Sequence, residues 1–379
     1  MENKKKLTTW EAACIITGYG IGGGVLSMPY LAEKIGFLNA LLVLVVAFAA
    51  SYVLHLMIAD LSLKAEEGGQ IISCLNQFLF KGKFKQVLTI GFFALLLAIL
   101  FTNLTGYITG AEEVIVGLFP DIDPLIAKLI FYILAASVVI FGLKAVGVSE
   151  KVAMVVIFAL IGLLCVSSFF HANNSVPMFE FSVNGVLAYY GMSMFSLAAF
   201  FSVPQAVEGL DGDKKKIKKA IFLGFLNNFI IIIAINFCAI LASTEVTEVA
   251  MVGWSAGIGI WAQVIGSVFT LLAMITTYWS LSLALADIVN ETTKIGSKLS
   301  WLIATLPSLI LALLNLGNFM GFMRTAGGLI SIIIAVMVVP AFINSKKQGE
   351  SLLKNNGAFV CGIIIFAYIM MGVGSVVPV

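Results

Sequence analysis

Apolar stretches of membrane-spanning length alternate with short polar segments along nearly the whole chain. A bilayer core requires about 20 apolar residues per helix, within a range of about 17–25. Eleven stretches meet this requirement and predict an all-α integral membrane protein with about 11 transmembrane helices. They cover residues 10–32, 38–62, 86–116, 125–143, 150–170, 185–207, 218–242, 257–288, 299–316, 322–344 and 357–377.

The composition agrees with this pattern. Of the 379 residues, 60% are hydrophobic and 11% are charged, and the mean hydropathy is +1.07. Soluble domains carry about 25% charged residues, so a soluble protein is excluded. The net charge of +2 gives no reason to expect a nucleic-acid partner. The five cysteines are widely spaced, and we expect small buried apolar residues rather than a disulfide or metal framework.

The positive charges lie predominantly on one side of the predicted spans. If the N-terminus is cytoplasmic, all but three of the 22 lysines and arginines fall in cytoplasmic segments. The exceptions are Lys34, Lys128 and Arg324. The positive-inside rule therefore predicts a cytoplasmic N-terminus and an outer C-terminus. We expect the plasma membrane of a bacterium, with residues 10–32 retained as the first helix.

Glycines interrupt the first predicted span in the sequence GYGIGGGVLSMPY, residues 18–30. Each glycine in a helix interior costs about 1 kcal/mol relative to alanine. Transporters use broken helices near the midplane, where free backbone groups bind substrates and ions. The alternative is close helix packing, because the pairs Gly18–Gly22 and Gly20–Gly24 have the GxxxG spacing.

The sixth predicted span carries a second candidate break, five helices after the first. This is the separation that an inverted repeat requires. Small and hydroxyl residues lie near its middle, and Pro204 removes one helical hydrogen bond. We therefore expect Pro204 to end the break and to open a second half-helix.

Motifs in both spans resemble the amino acid/auxin permease family of the amino acid–polyamine–organocation superfamily. The sequence GIGGGVLSMPYLAEKIGF (20–37) resembles the family's first helix. FFSVPQAVEGL followed by DGDKKKIKK resembles its sixth helix, and GGLISIIIAVMVVPAFI (327–343) its tenth.

The resemblance implies a single transporter domain over residues 1–379 with a 5+5 inverted-repeat transporter fold. Helices 1 and 6 would be broken, the repeats would cover about 8–170 and 185–344, and an extra helix would cover about 357–377. Helices 1, 2, 6 and 7 would form a bundle that moves against a scaffold built from helices 3, 4, 5, 8, 9 and 10.

By the same resemblance the substrate is an α-amino acid, and we expect a neutral one with an apolar or aromatic side chain. The amides around Gly22, Gly23 and Gly24 would bind its carboxylate. Carbonyl groups around Phe195, Ser196 and Ala199 would bind its ammonium. The side-chain pocket would include Asn103, Tyr107, Phe195 and Phe200, although lipid or core packing is the alternative for each aromatic residue.

Sodium is the first expectation for a coupling ion. AMITT (273–277) resembles the sodium-site element of related folds. The hydroxyls of Thr276 and Thr277 would bind the ion together with the carbonyls of Ala273, Gly18 and Ile21. Such oxygen ligands suit a hard cation. Sodium-coupled relatives often carry asparagine at the position of Gly18, and the two hydroxyls can instead bond their own helix.

A proton-coupled amino acid permease is the alternative. In some proton-coupled relatives a lysine midway along helix 5 occupies the sodium position, but this chain has only Lys151 near the cytoplasmic end of that helix. His55 is expected to be a hydrogen-bonded interior histidine. The candidate gating or proton-carrying residues are Arg324, Glu112, Glu113 and Glu208, for which an interfacial or surface position is the alternative.

Other function classes are less compatible with the sequence. There is no paired aspartate, Ser/His set or HExxH motif for an enzyme. We expect no cofactor other than bound Na⁺ as coupling ion, and we expect a monomer whose partners are the amino acid, the cation and the bilayer. A membrane amino acid sensor of the same fold and a channel remain alternatives. Residues 68–84 predict a short interfacial helix, and residues 241–257 an outer lid or a plain loop.

Overall fold

The structure is a computed structural model that describes residues 6–66, 69–317, 319–349, 351–353 and 357–378, without the side chains of 320 and 323–331. All regular secondary structure in these ranges is helical. The helices are α1 Thr9–Gly20, α2 Met28–Ile35, α3 Phe37–Lys64, α4 Ile71–Phe78, α5 Lys85–Leu118, α6 Pro124–Val139, α7 Leu143–Phe170, α8 Val183–Ser196, α9 Ser202–Gly209, α10 Lys214–Ala242, α11 Ala250–Ile258, α12 Ile260–Thr293, α13 Ser297–Leu313, α14 Phe319–Ser345 and α15 Ala358–Val376. Short 3-10 turns cover Val25–Ser27 and Lys346–Gln348.

The described helices coincide with the eleven predicted spans. Six of them (α3, α5, α7, α10, α12 and α15) are long and apolar enough to cross a membrane, and α1 with Val25–Ile35 forms a bent span. The helices α6 and α13 are shorter and apolar. The pair α8–α9 occupies the sixth predicted span and α14 the tenth. The bounds predicted for the two repeats stay a prediction.

Three predicted segments differ in detail from the structure. The fifth span starts at Leu143 instead of residue 150, because polar residues near its beginning do not interrupt the helix. The interfacial helix predicted at 68–84 is shorter, Ile71–Phe78, and its apolar side packs mainly against α14 and α5. The segment 241–257 folds partly into α11, which packs on α12 and α10.

Helix α1 lies at the centre of the molecule. Every residue from Glu11 to Gly20 is buried, and the helix packs against α10, α7, α12 and α9. Thr8 and Glu11 form a capping box at its start, in which each side chain accepts a hydrogen bond from the backbone of the other. The central position means that any break at the end of α1 lies among protein and not lipid.

The start of α1 also closes one face of the molecule. It is here called the lysine-bearing face, because Lys6 and two lysines of α7 lie on it. Lys6 pairs with Asp211, and the amide of Leu7 donates to the carbonyl of Gly209 at 2.8 Å. Glu11 accepts hydrogen bonds from Lys144 at 2.5 Å and from a second lysine of α7 at 3.4 Å. These contacts join α1, α7 and α9 at this face.

The opposite end of the molecule contains a cavity of about 360 Å³. Its wall includes Gly23, Gly24 and Phe195 and, from the additional helix α15, Met371 and Gly374. Helix α15 approaches α8 so closely that a side chain on Gly374 would collide with the backbone of α8. The eleventh span is therefore part of the wall of this cavity.

Candidate functional site

The first span is interrupted between α1 and α2. Helix α1 ends at Gly20, helical structure resumes at Val25, and the chain bends by 57° across the break. The amides of Gly22, Gly23 and Gly24 donate to no described residue. Buried backbone amides are normally hydrogen-bonded. Consecutive free N–H groups of this kind have the geometry that can accommodate an anion.

The sixth span is interrupted between α8 and α9. Helix α8 ends at Ser196, and α9 begins at Ser202 with Pro204 in its first turn, where proline is tolerated. This is the position predicted for the second half-helix. Neither the carbonyl oxygen nor the hydroxyl of Ser196 has a partner among the described residues. The second break thus has free hydrogen-bond acceptors, whereas the first break has free hydrogen-bond donors.

The two breaks face each other at very short range. A methyl group placed on Gly24 would lie 2.6 Å from Ser196 Oγ and 2.8 Å from Phe195 Cδ1. One placed on Gly20 would lie 2.7 Å from the carbonyl oxygen of Ser196. Only glycine permits this approach. An anionic group and a cationic group of one small molecule can therefore be bound on opposite sides of the same space.

A cavity of about 20 Å³ lies between the breaks. It has room for about one water molecule, so the site is closed around a space smaller than an amino acid. The predicted pocket residues Asn103, Tyr107, Phe195 and Phe200 all line it, whereas Ser196 and Ala199 lie on the break beside it. The lining comprises Tyr19, Gly20, Gly22, Gly23, Gly24, Asn103, Tyr107, Phe195, Ala198, Phe200 and Leu281.

Phe319 covers the first break from the start of α14. Its ring lies against Gly23 and Gly110, and its centroid is 6.2 Å from that of Tyr107. Glu113, a predicted gating or proton-carrying residue, accepts a hydrogen bond from the Phe319 amide at 3.4 Å. Glu113 therefore holds the start of α14, which carries Phe319. The sequence contains 29 phenylalanines, and nothing in the pattern distinguishes this one.

Four of the five residues predicted to bind sodium lie together beside the first break. Thr277 Oγ1 is 2.8 Å from the carbonyl oxygen of Gly18 and 3.0 Å from that of Ala273. Thr276 Oγ1 is 3.0 Å from Ala273 O and 3.5 Å from Gly18 O. Ile21, the C-cap residue of α1, is also buried. The oxygens suit a hard cation, and the hydroxyls also bond the backbone of their own helix.

Glu150 lies next to this cluster and was missed by the sequence analysis. Because α7 starts at Leu143, Glu150 is inside the helix and fully buried. Its carboxyl group lies directly against Gly18, and its Oε1 is 2.8 Å from Ser280 Oγ. Its Oε2 has no partner among the described residues. Glu150 was the first residue of the predicted span; with the helix starting at Leu143, its carboxyl group lies about two turns inside the helix.

Of the remaining gating candidates, Glu112 and Glu208 do not line the cavity between the breaks. Glu112 pairs at 3.8 Å with Lys128 of α6. Glu208 is exposed on α9. Arg324 lies in α14, but its side chain is outside the described residues.

Two interrupted spans that face each other inside a bundle of membrane-length helices define a broken-helix transporter. Two solved structures share this architecture, each with a TM-score of 0.68. Mhp1, a nucleobase-cation-symport-1 family transporter in a closed conformation with bromovinylhydantoin, is 12% identical, and the match covers 99% of this chain and 93% of Mhp1. MhsT in complex with L-phenylalanine is 14% identical, with 98% and 100% covered. These matches confirm the 5+5 inverted-repeat fold.

The family profile described as the tryptophan/tyrosine permease family matches residues 5–378, and the chain belongs to this family. Glutamine transporter 2 of Aliivibrio fischeri is 22% identical in an alignment 369 residues long, and the match covers 91% of this chain and 91% of that transporter. The protein is therefore an integral membrane amino acid transporter. The amino acid–polyamine–organocation type of transporter is supported, whereas the narrower amino acid/auxin permease label is not confirmed.

Proposed function

We propose that the protein is a symporter that carries neutral amino acids with aromatic or apolar side chains across the membrane together with a cation. The facing breaks carry this proposal. The free amides of Gly22, Gly23 and Gly24 would bind the carboxylate, and the free carbonyl oxygen of Ser196 would bind the ammonium. Nothing in the site requires a chemical step, and we propose no enzymatic activity.

The preference for an aromatic or apolar side chain rests on the cavity wall. Tyr19, Tyr107, Phe195 and Phe200 surround the space and belong to three spans, the first, third and sixth. Asn103 adds one unpaired buried oxygen. The family description names tryptophan and tyrosine, and the phenylalanine complex of MhsT has the same fold. The glutamine transporter is a relative named for a neutral substrate. The cavity must expand to receive any of these molecules.

We propose further that the lysine-bearing face is cytoplasmic, which leaves the C-terminus outside. This orientation follows the positive-inside rule. The cavity of about 360 Å³ then opens towards the exterior and touches the first break at Gly23 and Gly24. Substrate would enter past Phe195 and Phe319. The contacts of Glu11 with α7 would have to open for release into the cell.

Sodium is our first candidate for the coupling ion. The oxygens of Gly18, Ala273, Thr276 and Thr277 already lie within 2.8–3.5 Å of one another in the pairs described above. They join the end of α1 to α12, so an ion bound there would stabilise one arrangement of these helices. One charge moved through 100 mV supplies about 2.3 kcal/mol, and one ion can therefore drive accumulation.

The environment of Glu150 favours a proton as the second candidate. Ser280 Oγ lies 2.8 Å from Glu150 Oε1 and 3.2 Å from the carbonyl oxygen of Ile15. A hydroxyl has a single hydrogen, so it can satisfy only one of these acceptors. A protonated Glu150 would donate to Ser280, which would donate to Ile15. No described lysine or arginine pairs with Glu150, and an ionised carboxylate without a counter-ion is unfavourable inside a protein.

Proteoliposomes containing the full-length protein test the transport proposal. Counterflow of radiolabelled tryptophan, tyrosine, phenylalanine and glutamine is measured first, then uptake under separate sodium and pH gradients. We expect saturable, trans-stimulated exchange of at least one of these amino acids. A sensor or an enzyme would give no exchange, and a channel would give flux without trans-stimulation. No exchange of any neutral amino acid would refute the proposal.

Two substitutions then separate the ions. If sodium couples transport, Thr277→Val raises the sodium concentration for half-maximal uptake at least tenfold and Glu150→Gln keeps sodium-driven accumulation. If a proton couples transport, Glu150→Gln keeps counterflow but loses pH-driven accumulation. Thr102→Val is the matched threonine control, because its hydroxyl bonds only its own helix, and exposed Glu180→Gln is the matched glutamate control.

A further inference from the structure

His55 of α3 is fully buried beside the second break. Its Nδ1 lies 2.6 Å from the carbonyl oxygen of Ser51, and its Nε2 accepts a hydrogen bond from the amide of Ala199 at 2.8 Å. A neutral imidazole has one donor and one acceptor nitrogen. Since Ser51 O can only accept and the Ala199 amide can only donate, these two bonds specify the neutral tautomer with its hydrogen on Nδ1.

The ring of His55 also supports a wall of the cavity. It stacks on Phe200, with the centroids 5.0 Å apart and the planes at 13°. The ring of Phe225 in α10 packs edge-on against the imidazole, with the ring centroids 4.7 Å apart. Phe200 lines the space between the breaks. One side chain therefore fixes both a backbone amide of the second break and an aromatic side chain of the pocket.

We propose that His55 is a positioning residue for the ammonium side of the substrate site, an inference that rests on the proposed transport function. By accepting the Ala199 amide, His55 holds the second break in its non-helical path. The carbonyl oxygen of Ser196 then stays free for a ligand.

The choice of histidine has a physical reason. A lysine or arginine at this position could not accept the Ala199 hydrogen bond. A carboxylate could accept it, but would place a buried negative charge beside the break. A neutral imidazole accepts the bond without a formal charge and presents a flat face to Phe200. Because His55 adds no charge, the free carbonyl oxygen of Ser196 is the group that recognises the cationic amino group of the substrate.

The test compares a ligand that has an amino group with one that lacks it. Purified full-length protein is first screened for binding of tryptophan, tyrosine, phenylalanine and glutamine, and the tightest ligand is used with its des-amino analogue; for L-tryptophan this is indole-3-propionate. His55→Phe keeps a flat ring against Phe200 but removes the acceptor. His55→Gln keeps an acceptor oxygen. His171→Gln alters the exposed histidine at the end of α7 and serves as the control.

We expect His55→Phe to weaken binding of the amino acid about 10- to 100-fold, because a buried amide loses its acceptor. Binding of the des-amino analogue should change less than threefold. His55→Gln should recover part of the discrimination, and His171→Gln should match the wild type.

Equal weakening of both ligands in His55→Phe, or no weakening of either, would overturn the inference. If that variant does not yield monodisperse protein, His55→Met fills the space with an adaptable apolar side chain and makes the same comparison. A wild-type protein that binds none of the amino acids would instead refute the proposed function, so the two failures can be told apart.

Discussion

Substitution of Gly24 by alanine tests whether the two breaks form one site. The added methyl group would lie 2.6 Å from Ser196 Oγ and 2.8 Å from Phe195 Cδ1, whereas ordinary contact begins at 3.4 Å. The breaks must therefore separate by about 0.6–0.8 Å at this point. Overpacking of this kind costs typically 1–3 kcal/mol. If the closed, ligand-bound form carries this cost, the affinity falls by roughly 5- to 150-fold.

Equilibrium binding of radiolabelled amino acid to purified protein measures this change. Gly162→Ala is the control, since it adds the same methyl group to a helical glycine of α7 with nothing within 4 Å. Alanine there should stabilise the helix by about 0.5–1 kcal/mol and leave affinity unchanged. Adding Ser196→Gly to Gly24→Ala removes the nearest clashing oxygen and should restore part of the binding. Unaltered affinity in Gly24→Ala would refute the facing arrangement of the breaks.

Three further outcomes are expected. Glu11→Gln weakens the charged contacts with two lysines of α7 by roughly 1–3 kcal/mol. Alkylation of the nearby buried Cys14, followed by mass spectrometry, should therefore become faster. An unchanged alkylation rate would contradict the closing role of Glu11. Gly374→Ala pushes α15 away from α8 and should lower the melting temperature by several degrees, while Gly362→Ala, which meets open space on the same helix, should not. Phe319→Ala removes the cover of the first break, so stopped-flow measurements should give amino acid dissociation at least about tenfold faster; dissociation at the wild-type rate would exclude a covering role.

The sequence predicted correctly those structural features whose signal lies within one short segment of the chain. Hydropathy over about 20 residues locates a span because a helix must cross the hydrocarbon with its own backbone bonds satisfied. The cluster Gly22–Gly24 and the proline at position 204 located both breaks, because each residue alters the helix in which it lies. The oxygens of Thr276 and Thr277 were placed near Gly18 by resemblance alone, and the structure brings them together. Their role as ion ligands stays a prediction.

The beginning of α7 illustrates where a local signal fails. Lys144, Gly147, Glu150 and Lys151 lower the mean hydropathy of residues 143–151, and the predicted span began at residue 150, seven residues after the helix itself begins. The helix nevertheless continues through them because Glu150 is buried against α1 and α12, while Lys151 reaches Glu11. Hydropathy averaged along the chain treats a polar residue as a signal against a span. It contains no information on whether other helices supply partners that allow this residue to be buried.

The sequence by itself therefore determined the membrane-spanning architecture and the two interrupted helices, and its resemblance to a permease family implied an amino acid as the substrate. Only the tertiary structure decided which side chains complete the site. His55 meets Ala199 across 144 residues of sequence, and Ser280 meets Glu150 across 130. Phe319 reaches Gly23 from the tenth span. Such pairs have no period or spacing along the chain, because they exist only once packing has brought distant helices together.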